Sequence, residues 1–336
     1  MKKILLAAVA ALAIVGCTQN EEIEKAGEKA EVNFGTVVSK TTRAAVTDLD
    51  ILKQTDVGFT VYAYNTGDKD MDKVTAAGEL VSFMSNVKAT FDSQWNVTGG
   101  PYYWPLNAKV QFFAYANPGT GTLVYNAPVD SQVYPTVTYT VADVSSQTDF
   151  VVAKATNKTK DDASVLLTFA HALTQVNFSV KGADQYTYKI TSITLKGVAN
   201  KGTYNFGAVD DEWGDVSGTV NYLYSLKSDP SVTGTEAISI GAANAALMLM
   251  PQTMPTEDDK TTIEVIYQVY NGNTAITDAV TSSIDLKGTT GWTAGKKIRY
   301  TLKLTNQGAS VSFDAAVGPW GESETDPLNP VTPPVE

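Results

Sequence analysis

The 336-residue chain contains one cysteine and one histidine, Cys17 and His171. A single cysteine cannot form a disulfide within the chain, and one histidine without further thiols excludes the usual zinc sites. We find no nucleophile elbow, phosphate-binding loop or dinucleotide-binding fingerprint. His171 lies in TFAHALTQV, a strand-like run, and is interpreted as a hydrogen-bonded structural residue. The sequence therefore predicts no catalytic residues, no cofactor and no enzyme activity.

Positive charge is also scarce. The formal net charge is −11, and lysine and arginine form few clusters. Nucleic-acid binding requires basic residues that neutralise phosphates, so a nucleic-acid partner is not expected. Glutamates crowd residues 21–31, which predicts a solvated leash behind the first apolar segment.

Long apolar runs are absent except for ILLAAVAALAIVG, which follows Lys2 and Lys3. This run is shorter than the roughly 20 residues of a spanning helix and is typical of a secretory signal. IVGC, residues 14–17, fits the lipobox pattern, so Cys17 is predicted to carry diacylglycerol and acyl chains such as palmitate. The alternative is a plain cleaved signal whose cysteine is incidental.

Short alternating segments recur along the rest of the chain, among them VGFTVYAYN, VQFFAYA, VLLTFAHALTQVNFSVK and IRYTLKL. Turn residues separate them, and no long helical period occurs, which predicts an all-β fold of antiparallel β-sandwiches. The polar stretch KATNKTKDDAS, residues 154–164, is the predicted linker. The predicted units are a signal (1–17), an N-terminal arm (18–43), two sandwiches (44–158 and 159–320) and a proline-rich tail (321–336).

One acidic loop has the ligand spacing of a calcium site. Asp68, Asp70, Asp72 and Glu79 occupy positions 1, 3, 5 and 12 of a twelve-residue stretch. Lys73 stands where the sharp turn of such a loop needs glycine, so the favoured interpretation is a solvated acidic loop without metal. Weak calcium binding remains the alternative.

An aromatic group lies between Trp95 and the PYYWP motif. Trp95, Tyr102, Tyr103 and Trp104 are candidates for a sugar-stacking platform. Aromatic residues of sandwiches also fill cores and hairpin contacts, and this structural interpretation is favoured.

Several segments together resemble the fimbrillin family, the subunits of type V pili of anaerobic Gram-negative bacteria. The resemblance is carried by TTRAA, VGFTVYAYN, YWPLNAKVQFFAYANP, LMLMPQT, WTAGKKIRYTLKL and VSFDAAVGPW, in this order along nearly the whole chain. It implies two tandem sandwiches of transthyretin-like (Greek-key) topology, no enzyme activity and export as an outer-membrane lipoprotein precursor. It also implies a trypsin-like protease that cuts after an arginine, followed by polymerisation into surface fimbriae through donor-strand exchange. Other fimbrial subunits and a host or bacterial surface receptor would be the partners.

Arg43 matches the implied cleavage site, and the assembled form would begin at Ala44. Upstream, EVNFGTVVS alternates, so that Val32, Phe34, Thr36 and Val38 face one way. We expect these residues to form a first strand, which a cut at Arg43 would convert into a dissociable peptide. An ordinary loop arginine is the alternative, and Lys40 is a competing tryptic site.

The donor strand is less sharply defined by the sequence. Val311, Phe313, Ala315 and Val317 alternate in ASVSFDAAV, which suits either a donor or the last strand of the second sandwich. The tail beyond Trp320 carries four prolines that cannot donate ladder hydrogen bonds. Three interpretations remain open: a stalk subunit, a tip or anchor subunit, and a permanently lipidated monomer that binds glycan or host protein.

Overall fold

A computed structural model describes residues 30–38, 52–54, 57–116, 119–209, 212–243, 245–289, 291–312 and 317–319. The predictions on Cys17, Arg43, Ala44, Phe313, Ala315 and the tail lie outside these residues. Within them the predicted all-β fold is confirmed, because extended strands form nearly all of the regular structure. No helix of the described residues is long and apolar enough to cross a bilayer.

The strands follow one another in short steps, with 3-10 turns at Met71–Lys73, Ala77–Glu79 and Val144–Ser146. They are β1 (Phe34–Val38), β2 (Phe59–Asn65), β3 (Val81–Asp92), β4 (Gln94–Val97), β5 (Val110–Ala116), β6 (Thr122–Asn126), β7 (Thr136–Thr140), β8 (Val151–Lys158), β9 (Val165–His171), β10 (Thr174–Lys181), β11 (Thr187–Val198), β12 (Lys201–Asn205), β13 (Trp213–Ser217), β14 (Val220–Leu223), β15 (Ser231–Thr233), β16 (Ile238–Ser239), β17 (Leu247–Leu249), β18 (Thr262–Asn271), β19 (Thr274–Ala275), β20 (Val280–Asp285), β21 (Lys296–Thr305), β22 (Gly308–Ser312) and β23 (Val317–Pro319).

The first sheet contains seven strands in the order β1-β9-β8-β5-β2-β3-β4. Alternation along its strands gives it two apolar faces. On β2, Phe59 and Val61 join one core cluster, whereas Tyr62 and Tyr64 point to the other side. The first of these clusters, which we call the arm core, also contains Val32 and Phe34.

The opposite face of this sheet packs against the four-stranded sheet β13-β12-β7-β6. Tyr62 stacks on Tyr125, and the hydroxyls of Tyr64 and Tyr125 are 2.9 Å apart. Burial raises the pKa of Tyr62 to about 12.

The C-terminal part forms a second sandwich. One sheet runs β16-β10-β21-β22, with β17 and β23 paired to its central strands, and the other runs β14-β11-β18-β19, with β15 and β20 attached. Buried residues from both sheets share one cluster, in which Phe178 and Tyr300 of the first sheet lie with Ile193 and Tyr267 of the second.

The predicted boundary at 158/159 falls between two strands that pair with each other. β8 ends at Lys158, and β9 beyond the boundary joins β8 through the pairs Val151–His171 and Val152–Ala170. Residues 201–217 likewise return to the N-terminal half, because β12 pairs with β7. A division at 158/159 would therefore cut through the first sheet. The transthyretin-like topology stays a prediction.

Candidate functional site: the N-terminal strand and its groove

The N-terminal strand β1 forms one edge of the first sheet and pairs in parallel with β9. The register joins Phe34 to Val165, Thr36 to Leu167 and Val38 to Phe169. The Val165 amide donates a 2.7 Å hydrogen bond to the Asn33 carbonyl. An edge strand has a hydrogen-bonded neighbour on one side only, so residues 34–38 are held laterally by the ladder with β9 alone.

Side chains from the described part of the arm, residues 30–38, reach into the arm core. Val32 is 3% exposed and Phe34 is 8% exposed. The Phe34 ring lies edge-on to Phe59 and Phe112, with centroids 5.5 and 5.8 Å away. Burying two such side chains contributes on the order of 3–6 kcal/mol before entropy is counted. Both residues thus lie where the alternation predicted.

A second segment holds the arm from the other side. Val32 donates its amide to the Tyr102 carbonyl at 2.8 Å, and Trp104 donates to the Ala30 carbonyl at 2.9 Å. Glu31 and Tyr103 form the antiparallel bridge between these two bonds. The groove therefore has two walls, which are β9 and residues 102–104, and the sequence predicted neither pairing.

Thr36 and Val38 complete the predicted inward face of the arm. Val38 belongs to β1, but its side chain lies outside the described residues. The Thr36 hydroxyl oxygen is buried and has no hydrogen-bond partner among the described residues. Apolar contact and main-chain ladders thus hold the arm, whereas this one polar group opposes its burial.

Most of the aromatic candidates pack inward beside the groove and do not form an open platform. The candidates are Trp95, Tyr102, Tyr103 and Trp104. Between ring centroids, Trp95 lies 4.8 Å from Phe59, Tyr102 lies 6.0 Å from Phe83, and Trp104 lies 5.9 Å from Phe112. Tyr103 is 42% exposed. These contacts support the structural interpretation of the group and connect it to the arm core.

Lysines form ion pairs with three carboxylates of the acidic loop that was compared with a calcium site. Asp70 pairs with Lys109 at 2.7 Å, Asp72 with Lys73 at 3.0 Å and Glu79 with Lys69 at 2.6 Å. The hydrogen bond from Lys69 lowers the pKa of Glu79 below its ordinary value. Asp68 is exposed. In the described part of the chain, no group of three or more acidic, histidine or cysteine residues is arranged to hold a metal ion.

His171 is buried at the end of β9, where its Nδ1 atom lies 2.8 Å from Asp149 Oδ2. The next residue, Ala172, accepts a hydrogen bond from the Trp213 indole at 2.6 Å. These contacts join the end of β9 to the segment before β8 and to β13 of the four-stranded sheet. This arrangement agrees with the interpretation of His171 as a hydrogen-bonded structural residue.

The candidate donor begins as an edge strand of the second sandwich. β22 pairs antiparallel with β21 in a register that joins Val311 to Leu302. β23 returns to the same strand, with Val317 opposite Ile298. In the single chain, the described ends of this segment thus belong to a sheet of their own molecule.

Comparison with known proteins gives concordant results. The Fimbrillin-like family model matches residues 42–320. Fimbrium subunit Fim1C of Phocaeicola vulgatus is 28% identical over 257 residues, which cover 68% of this chain and 66% of that protein, just under two thirds. A fimbrial protein from Bacteroides vulgatus has the same fold in its crystal structure. Its TM-score is 0.64 at 20% identity, covering 86% of this chain and 99% of that one. The chain therefore belongs to the fimbrillin-like family.

Proposed function

We propose that the chain is a structural subunit of a surface fimbrium, delivered as a lipoprotein precursor and assembled by donor-strand exchange. The observation that carries the proposal is the arm, an edge strand buried in an apolar groove near the N-terminus of the chain. A groove that is filled by a terminal strand of its own chain is suited to filling by a strand from another chain.

Lipid on Cys17 and a cut after Arg43 give the arm a temporary role. Acyl chains on Cys17 would hold the precursor at the outer membrane while the arm fills its groove. A trypsin-like protease that cuts after Arg43 would separate residues 18–43 from a chain beginning at Ala44. The arm would then be held only by its non-covalent contacts.

Loss of the arm would leave a groove with strong affinity for a strand. The Val165 amide would lose its acceptor, and Phe59 and Phe112 would lose the Phe34 ring. Unpaired edge groups beside exposed apolar side chains are a template for β-strand addition.

We propose residues 309–317 of a second copy as the donor. Aligned without gaps, AEVNFGTVV of the arm (30–38) and ASVSFDAAV (309–317) place Val311 on Val32 and Phe313 on Phe34. The same alignment places Ala315 on Thr36 and Val317 on Val38. A donor in this register would offer the groove the two apolar side chains that the arm buries there.

N-terminal sequencing of surface-sheared polymer, together with denaturing gels run with and without heating, tests this proposal. We expect heat-labile ladders whose subunits begin at Ala44, because strand exchange joins subunits without covalent bonds. Arg43→Ala should abolish the ladders, and Lys40→Ala, which removes the competing tryptic site, should leave them unchanged. Polymer whose subunits retain the lipidated N-terminus would contradict cleavage.

A tip or anchor subunit is the second candidate, favoured by the tail beyond Trp320. Four prolines in residues 321–336 make this segment unsuited to a ladder strand. A tip or anchor subunit would occur once per fimbrium, whereas a stalk subunit repeats. On gels of mixed polymers, such a subunit would therefore increase the mass of each polymer by one subunit and would not produce a ladder of its own.

A further inference from the structure

Thr36 differs from the other inward serine and threonine hydroxyls that the structure describes. In the second sandwich, Ser179 and Thr301 bond to each other at 2.8 Å, and the Thr174 hydroxyl donates to the Thr293 carbonyl at 2.6 Å. Among the serines and threonines that the structure describes, only Thr36 has a buried hydroxyl without a partner. This exception lies in the strand that would be exchanged.

A buried hydroxyl without a hydrogen bond weakens the segment that carries it. Water satisfies the Thr36 hydroxyl when the arm is free, and nothing in the described groove replaces that water when the arm is bound. Val32 and Phe34 favour binding of the arm, whereas Thr36 opposes it. The arm therefore binds the groove less tightly than its apolar side chains alone would predict.

The donor candidate lacks this group. In the register that aligns Phe313 with Phe34, the position of Thr36 is taken by Ala315. Alanine gives up one methyl contact, but it carries no polar atom that must lose water on burial. The two segments thus offer similar anchors and differ in one hydroxyl.

We infer that Thr36 is a built-in weak point of the arm, which lets residues 309–317 of a second copy displace the cut arm. This inference rests on the proposed strand exchange and identifies the residue that sets its direction. Covalent linkage keeps the weaker strand in place before the cut, because the effective concentration of a tethered segment is high. After the cut this advantage ends, and the strand without the hydroxyl is favoured.

The test compares retention of the cut arm in Thr36→Val and in the unchanged precursor. In both proteins, the recognition sequence of a site-specific protease is inserted after Arg43 of the full chain. After cleavage, the fraction of arm that stays bound is measured across a urea series. Valine has the shape of threonine without the hydroxyl. We expect its arm to bind about tenfold more tightly, a typical effect of removing one unsatisfied buried group. Thr168→Val is the matched control, because Thr168 lies exposed on the neighbouring strand β9.

A reciprocal pair of peptides tests the same inference from the donor side. Residues 309–317 and their Ala315→Thr form are added to the cut protein, and displacement of labelled arm is followed. The threonine form should need about a tenfold higher concentration. Equal potency of both peptides, or an unchanged urea midpoint in Thr36→Val, would overturn the role of Thr36.

Polymer formation is read separately from these measurements. If Thr36→Val shifts arm retention but no variant polymerises after the cut, the role of Thr36 in arm affinity stands and strand exchange is refuted. If polymer forms at the same rate in Thr36→Val and in the unchanged chain, strand exchange stands and the inference fails.

Discussion

At the scale of single residues, Phe34 anchors the arm. Its ring is buried between Phe59 and Phe112, while the next residue, Gly35, turns its face toward Leu166 on the outer side. Removing a buried phenylalanine side chain typically costs 3–5 kcal/mol, because the lost contacts leave a cavity. The attachment of the arm should therefore depend strongly on this ring.

Phe34→Ala should lower the free energy that holds the arm by about 3 kcal/mol. The amide of Val165 reports this directly, because it donates to the Asn33 carbonyl of the arm. Its hydrogen exchange in the uncut protein should accelerate by about a hundredfold. Leu166→Ala is the control, since the Leu166 side chain is 49% exposed and points away from the groove. Unchanged protection of Val165 in Phe34→Ala would contradict the assigned anchor.

Alternation in the sequence predicted which arm residues point inward, and Val32 and Phe34 are buried as expected. It could not predict the state of the Thr36 hydroxyl. Alternation fixes the direction of a side chain, whereas a hydrogen-bond partner depends on which other segment lies opposite. The contact between the Trp104 and Phe112 rings could not be predicted for the same reason, because it depends on which segment lies opposite Trp104.

At the scale of elements, the arm is held by two walls of different character. β9 supplies a parallel ladder, and residues 102–104 supply an antiparallel bridge over the start of the arm. Hairpin signals predict antiparallel neighbours in sequence, but the arm and β9 are separated by more than a hundred residues. The sequence therefore predicted strands in both places without showing that they pair.

Trp104→Ala tests the second wall. Loss of its ring contact with Phe112 should loosen residues 102–104. The free energy that holds the start of the arm should fall by about 2 kcal/mol, because the Trp104 side chain is half-buried. Exchange of the Val32 amide, which donates to the Tyr102 carbonyl, should accelerate about thirtyfold. Tyr103→Ala is the control, since that neighbouring side chain is 42% exposed. A sugar-stacking platform predicts the opposite result, which is lost glycan binding with unchanged protection of Val32.

At the scale of the whole molecule, the two halves share secondary structure across the predicted boundary. β9 completes the first sheet, and β12 and β13 extend the sheet of β6 and β7. Alternating segments and turn residues predicted the all-β class because both are local signals. The sheet that joins residues 136–140 to residues 201–205 results from long-range pairing, which no local signal specifies.

The proposed assembly couples the two ends of the chain. The N-terminal arm fills the groove in the precursor, and β22 near the C-terminus is an edge strand that begins the candidate donor. Each copy would thus carry a groove at one end and a donor at the other. Such head-to-tail contacts produce an open filament when the rotation between copies does not close a ring.

Disulfide trapping between copies tests this central claim most directly. Gly35 lies opposite Leu166 in the arm register, and Asp314 replaces Gly35 in the proposed donor register. Polymer of the cut chain with Leu166→Cys and Asp314→Cys should therefore oxidise to covalent ladders that resist heating, because paired strands bring such residues within disulfide distance. Leu166→Cys with Ser312→Cys, two residues out of register, should not cross-link. Ladders that remain heat-labile in the first variant, or equal cross-linking in both, would contradict the claim that residues 309–317 of one copy fill the groove of the next.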